Sequence, residues 1–284
     1  MRLVIGSSNF GDYYGIDSLS RKKGFSKIDL KKIKLISKNN NLNFIDTSFN
    51  YKNSHKKISL LGSKKKIITK ISFKNLKKNN TENILINKLI ELKKKYKLNI
   101  HAILIHDLFD LTIKESILAF KTLRNIKNLG LISKFGASIY EPEEILKFID
   151  KIKIDYLQIP MNVFDNRFLK SKLIKRLKYK GTKIFVRSCF LQGILSFNKK
   201  PPGSITGINK NLKKWRKWCN LKKIDYTQAC LHYIKNIEYV DYLIIGFDTP
   251  EQLQDLINKY KKRSKIINFK IKKINRKYID PRKW

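Results

Sequence analysis

Short apolar, β-branched runs recur along this chain, and most are separated by longer segments whose apolar residues return every three or four positions. The short runs are LVIGSS (3–8), NFIDTS (43–48), KIITKIS (66–72), AILIHD (102–107), KFGASI (134–139), YLQIPMN (156–162), KIFVRS (183–188) and YLIIGF (242–247). Each is nearly continuous in apolar side chains, as a strand buried on both faces must be. The segments between them read as amphipathic helices. Residues 81–96 put Ile84, Leu85, Leu89 and Leu92 on one stripe, with Thr81 as N-cap. Residues 112–130 carry Ile113, Ile117, Phe120, Leu123 and Ile126 and stop at Gly130. Residues 141–152 open with Pro142 and acids in the first turn, and 249–260 repeat that grammar.

Strand then helix, repeated eight times, predicts parallel strands joined by crossover helices. Eight such units in 284 residues predict an α/β fold, a closed (β/α)8 TIM barrel, as a single domain over residues 1–284. The longest interruption, FNKKPPGSITGIN (197–209), predicts a loop over the barrel mouth. A basic C-terminal tail, 264–284, follows the last helix, and its pattern fits either a strapped-down segment or partial disorder.

Composition narrows the class. No apolar run approaches the roughly 18 residues that span a bilayer. The N-terminus, MRLVIGSSNFGDYYG, reads as a strand at once, so no signal peptide is expected. Cys189, Cys219 and Cys230 lack CxxC spacing, so neither a disulfide framework nor a metal site is expected, and a reducing, cytoplasmic compartment is. The formal charge of +41 is of a size that points to nucleic acid or an anionic membrane. However, the 63 basic residues comprise 10 Arg and 53 Lys, and Lys, Ile, Asn, Tyr and Phe, the residues of A/T-rich codons, are all abundant. The lysines are spread along the helices. Compositional drift is the expected source of the charge, with nonspecific polyanion affinity as a by-product and no specific nucleic-acid or membrane partner expected; a nucleic-acid-binding protein is the alternative that the charge leaves open.

In a barrel of this kind the functional residues stand at the C-terminal ends of the strands. The second run ends in Asp46, with Tyr51 in the loop beyond it. The third carries Lys70, and the fourth carries His106. Each has an ordinary reading alone: a helix cap, a rim aromatic, one more lysine, a core histidine. Together, on successive strand ends, they form chemical equipment. A tyrosine is a poor acid near neutral pH, with a pKa of about 10. A nearby ammonium favours its phenolate, and a carboxylate holds that ammonium in place. A histidine orients a carbonyl oxygen or relays a proton. Such a set protonates an oxygen while a hydride attacks the attached carbon.

The stretches FIDTSFNYKNS, IITK, ILIHD, LGLISKFGASIY, DYLQIPMNVFD and LIIGFDTPEQLQDL, in this order and spacing across residues 3 to 260, together resemble the aldo-keto reductases. The resemblance implies a nicotinamide cofactor, NADPH or NADH, bound without a Rossmann fold, so the lack of a GxGxxG motif is expected. It implies that Tyr51 is the general acid, that Lys70 lowers its pKa, that Asp46 pairs with Lys70 and that His106 positions the carbonyl. It also implies cofactor contacts. Ser138 and Gln158 match the residues that hold the carboxamide, while the neighbouring Asn of many relatives is Ile139. Arg187 stands where many members have a stacking Tyr, followed by Ser188. At the adenosine end, Gly246 and Phe247 replace the Lys and Ser that bind a 2′-phosphate. Gln252 stands where Arg is common, and Asp255 matches an acidic position. Asp248 would repel a 2′-phosphate, which brings NADH into play.

The wording RSCFLQG (187–193) is similar to a branch associated with surface-polysaccharide or modified-sugar pathways, so the expected small-molecule carbonyl substrate extends to sugar-derived compounds. A monomer or small homo-oligomer is expected. The alternative reading is a regulatory barrel that binds cofactor with little turnover. His55 is expected to face solvent, and His101 and His232 read as ordinary histidines. KKWRKWC (213–219) reads as an amphipathic turn with Trp packed inward.

Overall fold

The apolar runs fold as strands whose bounds differ from the expected ones by no more than three residues. They are β1 (Arg2–Gly6), β2 (Phe44–Asp46), β3 (Lys66–Ile71), β4 (Asn99–Ile105), β5 (Lys134–Ser138), β6 (Tyr156–Pro160), β7 (Lys183–Arg187) and β8 (Tyr242–Ile245). They pair in sequence order, all parallel, and β8 returns to β1 to close the barrel. The computed structural model describes residues 1–11, 24–51, 53–74, 80–196, 200–271 and 274–284. The helices among them are α1 (Lys27–Asn39), α2 (Ser54–Ser59), α3 (Thr81–Tyr96), α4 (Ile113–Asn128), α5 (Glu143–Leu146), α6 (Arg167–Lys170), α7 (Leu173–Tyr179), α8 (Asn209–Leu221), α9 (Tyr226–Lys235) and α10 (Pro250–Lys261).

Local sequence explains the helix ends. Thr112 and Glu115 form a reciprocal capping box on α4, and Gly130 beyond its end takes φ +72°, as a stop residue should. Thr249 caps α10 by accepting from the Gln252 N–H. Three expectations fail in detail. Asn80, not Thr81, occupies the cap position of α3. Ile113 and Ile117 are exposed on α4, whose packed face is instead Ala119, Phe120, Leu123 and Ile126. Residues 141–152 form only the short α5, followed by tighter turns. There the Glu144 carboxylate accepts the Tyr140 and Glu141 N–H groups, and Pro142 stands at the cap. In the loop expected over the mouth, 197–199 lie outside the described residues, and 203–208 form a 3-10 turn that buries Ile205 and Ile208.

Strand side chains alternate faces, so positions two apart share one face. Val4, Phe44, Ile68, Leu104, Tyr156, Phe185 and Ile244 fill the barrel interior as one cluster. Its lower end is closed by aromatic packing: Phe185 stacks on Tyr242 at 4.3 Å, and His101 Nε2 meets the Tyr156 hydroxyl at 2.9 Å. Outward-facing Leu3, Ile5, Ile45 and Ile67 join the larger core beneath the helices. At Gly136 a Cβ would run into the Tyr156 backbone carbonyl of the paired strand, so the narrow β5–β6 contact needs glycine there.

Two strand starts share a device. Asp155 precedes β6 and accepts Lys127 Nζ, Lys134 Nζ and the Phe135 N–H of β5. Asp241 precedes β8 and accepts Lys178 Nζ, Lys183 Nζ and the Ile184 N–H of β7. Burial alone would raise both carboxyls, but the lysine and backbone hydrogen bonds outweigh it and hold them below the usual range. Such groups stabilise above their unfolded pKa, and that contribution is lost as pH falls through the lower folded value. Asp155→Asn and Asp241→Asn are each expected to cost about 1–3 kcal/mol at pH 7 by denaturant titration. The gap from wild type should narrow below about pH 3.9. A gap that stays constant to acid pH would contradict the assignment.

Candidate active site

The alternation that builds the barrel also builds its rim. Two residues beyond interior positions stand Gly6 after Val4, Asp46 after Phe44, Lys70 after Ile68 and His106 after Leu104. The series continues with Ser138 after Gly136, Gln158 after Tyr156, Arg187 after Phe185 and Gly246 after Ile244. All but Ser138 line one cavity of about 530 Å³ at the C-terminal mouth. Ser138 is buried behind Gln158, to whose Oε1 its hydroxyl donates at 3.0 Å.

Lys70 Nζ donates to both oxygens of Asp46 at 2.7 Å, with both side chains buried. Gln158 Nε2 donates to Asp46 Oδ1 at 2.7 Å. Burial drives the Lys70 pKa below the usual lysine value, Asp46 opposes that fall, and the nearby Arg187 adds to it. Removing one partner of such a pair leaves a buried charge and costs about 3–5 kcal/mol.

Tyr51 reaches this pair from the β2–α2 loop. That loop is pinned to β3, with Thr47 N–H donating to the Ile68 carbonyl and Phe49 N–H to that of Lys70. Thr47 and Ser54 hydroxyls bond at 3.0 Å and close the loop at its base. The result sets Lys70 Nζ 5.6 Å from the centroid of the half-buried Tyr51 ring. His106 lines the same cavity. Burial, with the charges of Lys70, Arg187 and Arg282, lowers its pKa to about 4, against a smaller opposite effect from Asp107. Its ring is therefore neutral near pH 7.

The remaining candidates divide. Arg187, Ser188, Gly246 and Asp248 line the cavity. Asp248 accepts from Asn9 Nδ2 at 2.8 Å, while its N–H donates to Gln252 Oε1, so Gln252 shapes the rim from behind. Asp255 is exposed and pairs with Lys259, away from the cavity. His55, expected in solvent, is half-buried against Phe49. Burial lowers its pKa to about 4, and its buried Nε2 has no partner among the described residues. The wall after β7 is unusual in backbone. Ser188, Leu191 and Gln192 all take left-handed φ values of 61°, 47° and 56°, each costing roughly 1–2 kcal/mol. Asn162 Nδ2 holds the Ser188 carbonyl from below. The inward-packed Trp215 donates to the Leu195 carbonyl, and the buried Cys230 thiol lies 3.9 Å from the same oxygen.

Sequence reasoning missed one contributor. The tail is strapped down: Lys265 N–H donates to His232 Nδ1, Phe269 packs on Trp215, and Arg276 pairs with Glu141. Its end brings Pro281 and Arg282 into the cavity wall. The Tyr140 ring has the Arg187 guanidinium carbon 4.0 Å and that of Arg282 3.5 Å from its centroid. Two guanidiniums that close fit only on opposite faces, which puts the charges no more than about 7.5 Å apart. At an effective dielectric of about 20 they repel by roughly 2 kcal/mol. A signal existed in the sequence, in the buried-looking Ile274 and Ile279, but no pattern assigned them a partner.

The cavity suits a nucleotide cofactor. Its size lies within the roughly 300–1,000 Å³ of ligand pockets. Amide, hydroxyl and guanidinium groups line it, and Gly246 leaves open space where a Cβ would stand. The pair at its floor has a direct test. Asp46→Asn should lower stability by about 3–5 kcal/mol, and adding Lys70→Met should recover part of that loss, because the stranded charge is removed. Additive losses in denaturant titrations would contradict the coupling.

Comparison with known proteins agrees with this geometry. The chain matches the model of the aldo/keto reductase family over residues 2–277. No curated protein matches it. Among solved structures it is similar to the holo form of the aldo-keto reductase AKR11C1 from Bacillus halodurans, at 16% identity and a TM-score of 0.70, with 93% of this chain and 88% of that one covered. It is similar to the glycerol dehydrogenase AKR11B4 from Gluconobacter oxydans with the same figures. At such identity these likenesses speak to the fold alone. The family match, over nearly the whole barrel, carries the conclusion that this chain belongs to the aldo/keto reductase family of NAD(P)H-dependent oxidoreductases.

Proposed function

We propose that the protein reduces an aldehyde or ketone to the alcohol, with Tyr51 as the proton donor. The observation that carries this reading is the buried Asp46–Lys70 pair, bonded at 2.7 Å through both carboxylate oxygens, with its ammonium 5.6 Å from the Tyr51 ring. When bound, the reduced nicotinamide supplies the hydride that the carbonyl carbon accepts. The protein's own groups manage the oxygen. Neutral His106 donates a hydrogen bond to the carbonyl oxygen and orients it. Tyr51 Oη gives its proton to that oxygen as negative charge develops there. Lys70 stabilises the resulting phenolate, and Asp46 fixes the ammonium in place.

Gln158 and Ser138, already bonded to each other, would orient the carboxamide. Arg187, Ser188 and Gly246 would contact the rest of the cofactor, while Gln252 holds the Asp248 N–H behind the rim and Asp255, turned to Lys259, takes no part. The Asp248 carboxylate at the rim disfavours a 2′-phosphate. A unit charge about 5 Å away costs about 1–3 kcal/mol, so we assign NADH as the preferred cofactor.

The test is turnover of a panel of small aldehydes and sugar-derived carbonyls with each cofactor. Wild type should reduce some of them with a lower KM for NADH than for NADPH. Tyr51→Phe should lose roughly 10²–10⁴-fold in kcat, the usual worth of a positioned general acid. Equal turnover by wild type and Tyr51→Phe would sink the tyrosine-acid mechanism. Tight NADH binding with no carbonyl reduced would favour the regulatory barrel.

A further inference from the structure

The cavity treats its charges unequally. Its carboxylates are all engaged: Asp46 by Lys70, Asp107 by Ser72 Oγ and the Phe73 and Lys74 N–H groups, Glu144 by two N–H groups, Asp248 by Asn9 and the exposed Asp110 by Lys74. Arg187 is different. Its guanidinium makes a 3.2 Å bond to the Ile139 carbonyl and a long 3.5 Å contact to Ser188 Oγ, and it meets no carboxylate among the described residues. Arg282 binds Asp280 through Nε and Nη2, while Nη1 makes no hydrogen bond among the described residues. The two cations face each other through the Tyr140 ring, and all three residues line the cavity.

This arrangement is held from behind. Arg167 bonds the Tyr140 carbonyl, the Glu141 carboxylate and both oxygens of buried Asp165. Arg276 of the tail binds the other Glu141 oxygen. Tyr140 is thus fixed between the β5 loop and the tail, with like charges on its two faces. An anion at the ring edge would relieve their repulsion and complete the donors left over on Arg187 and Arg282. Planar guanidiniums suit carboxylate and phosphate oxygens. We propose that Arg187 and Arg282, clamped on Tyr140, form an anion subsite, and that the carbonyl substrate carries a carboxylate or phosphate group there. This rests on the reduction reading above and names its substrate class.

The experiment compares matched pairs in kcat/KM. One arm sets 4-oxobutanoate against butanal, and the other glyceraldehyde 3-phosphate against glyceraldehyde. Wild type should favour the acidic member of at least one pair by tenfold or more, the arm identifying carboxylate or phosphate. Arg282→Gln should shrink that ratio by roughly 10–100-fold through KM, as expected for loss of a charge-assisted contact, and Arg282→Lys should restore part of it. Calorimetry of succinate and inorganic phosphate binding to cofactor-loaded protein gives a readout independent of turnover, with one of them bound by wild type and weakened in Arg282→Gln. Reduction of neutral and acidic aldehydes alike would leave the reductase reading intact and overturn the subsite. So would an Arg282→Gln effect confined to cofactor affinity, or no binding of either anion.

Discussion

Everything at the mouth of this barrel depends on one buried ion pair. Asp46 and Lys70 come from adjacent strands, and each would be costly alone in an apolar interior. Together, with Gln158 donating a further hydrogen bond to Asp46, they make a charged floor from which the cavity rises. The loop carrying Tyr51 is bonded to the backbone of the strand that supplies Lys70, so the phenol cannot be placed independently of the ammonium. The fold thus ties the Tyr51 phenol to the Lys70 ammonium through main-chain hydrogen bonds rather than through chance packing.

The site was legible in the sequence because strand periodicity is rigid. A polar residue two positions beyond a barrel-interior apolar residue must share its face. Asp46, Lys70 and His106 obey this relation and were found from the strand ends; Gln158 and Arg187 obey it too but were singled out by the family resemblance. The strands themselves were legible for the same reason, since doubly buried strands leave few choices of side chain. Helix detail was less so: Ile113 and Ile117 fit the apolar period of α4 yet face outward, because the stripe is wider than the contact it makes. His55 was misjudged because the buried environment around Phe49 arises from tertiary packing.

The sequence left open whether the tail is strapped down, and it did not reveal the tail's contacts. Its contacts link residues far apart in the chain, such as Arg282 with Tyr140 and Arg276 with Glu141, and no local period encodes them. Charge adds a second lesson. In a chain with 22 acidic and 63 basic residues, carboxylates are the scarce component. Four of them sit where several donors converge: at strand starts in Asp155 and Asp241, beneath the rim in Asp165, and in the floor as Asp46. Lysines on the helix surfaces carry little such information. An arginine lining the cavity without a carboxylate therefore stands out against this background in a way that no surface lysine does.

In the proposed mechanism the Asp46–Lys70 pair tunes Tyr51 as an acid. The most direct measurement is the pH dependence of the hydride-transfer step in single turnover, for wild type and for the double variant Asp46→Asn/Lys70→Met, which removes both charges together. Wild type should lose rate as the phenol ionises below its ordinary value of about 10, and the double variant should be slower with that alkaline limb moved to higher pH. An alkaline limb at the same pH in both proteins would contradict it.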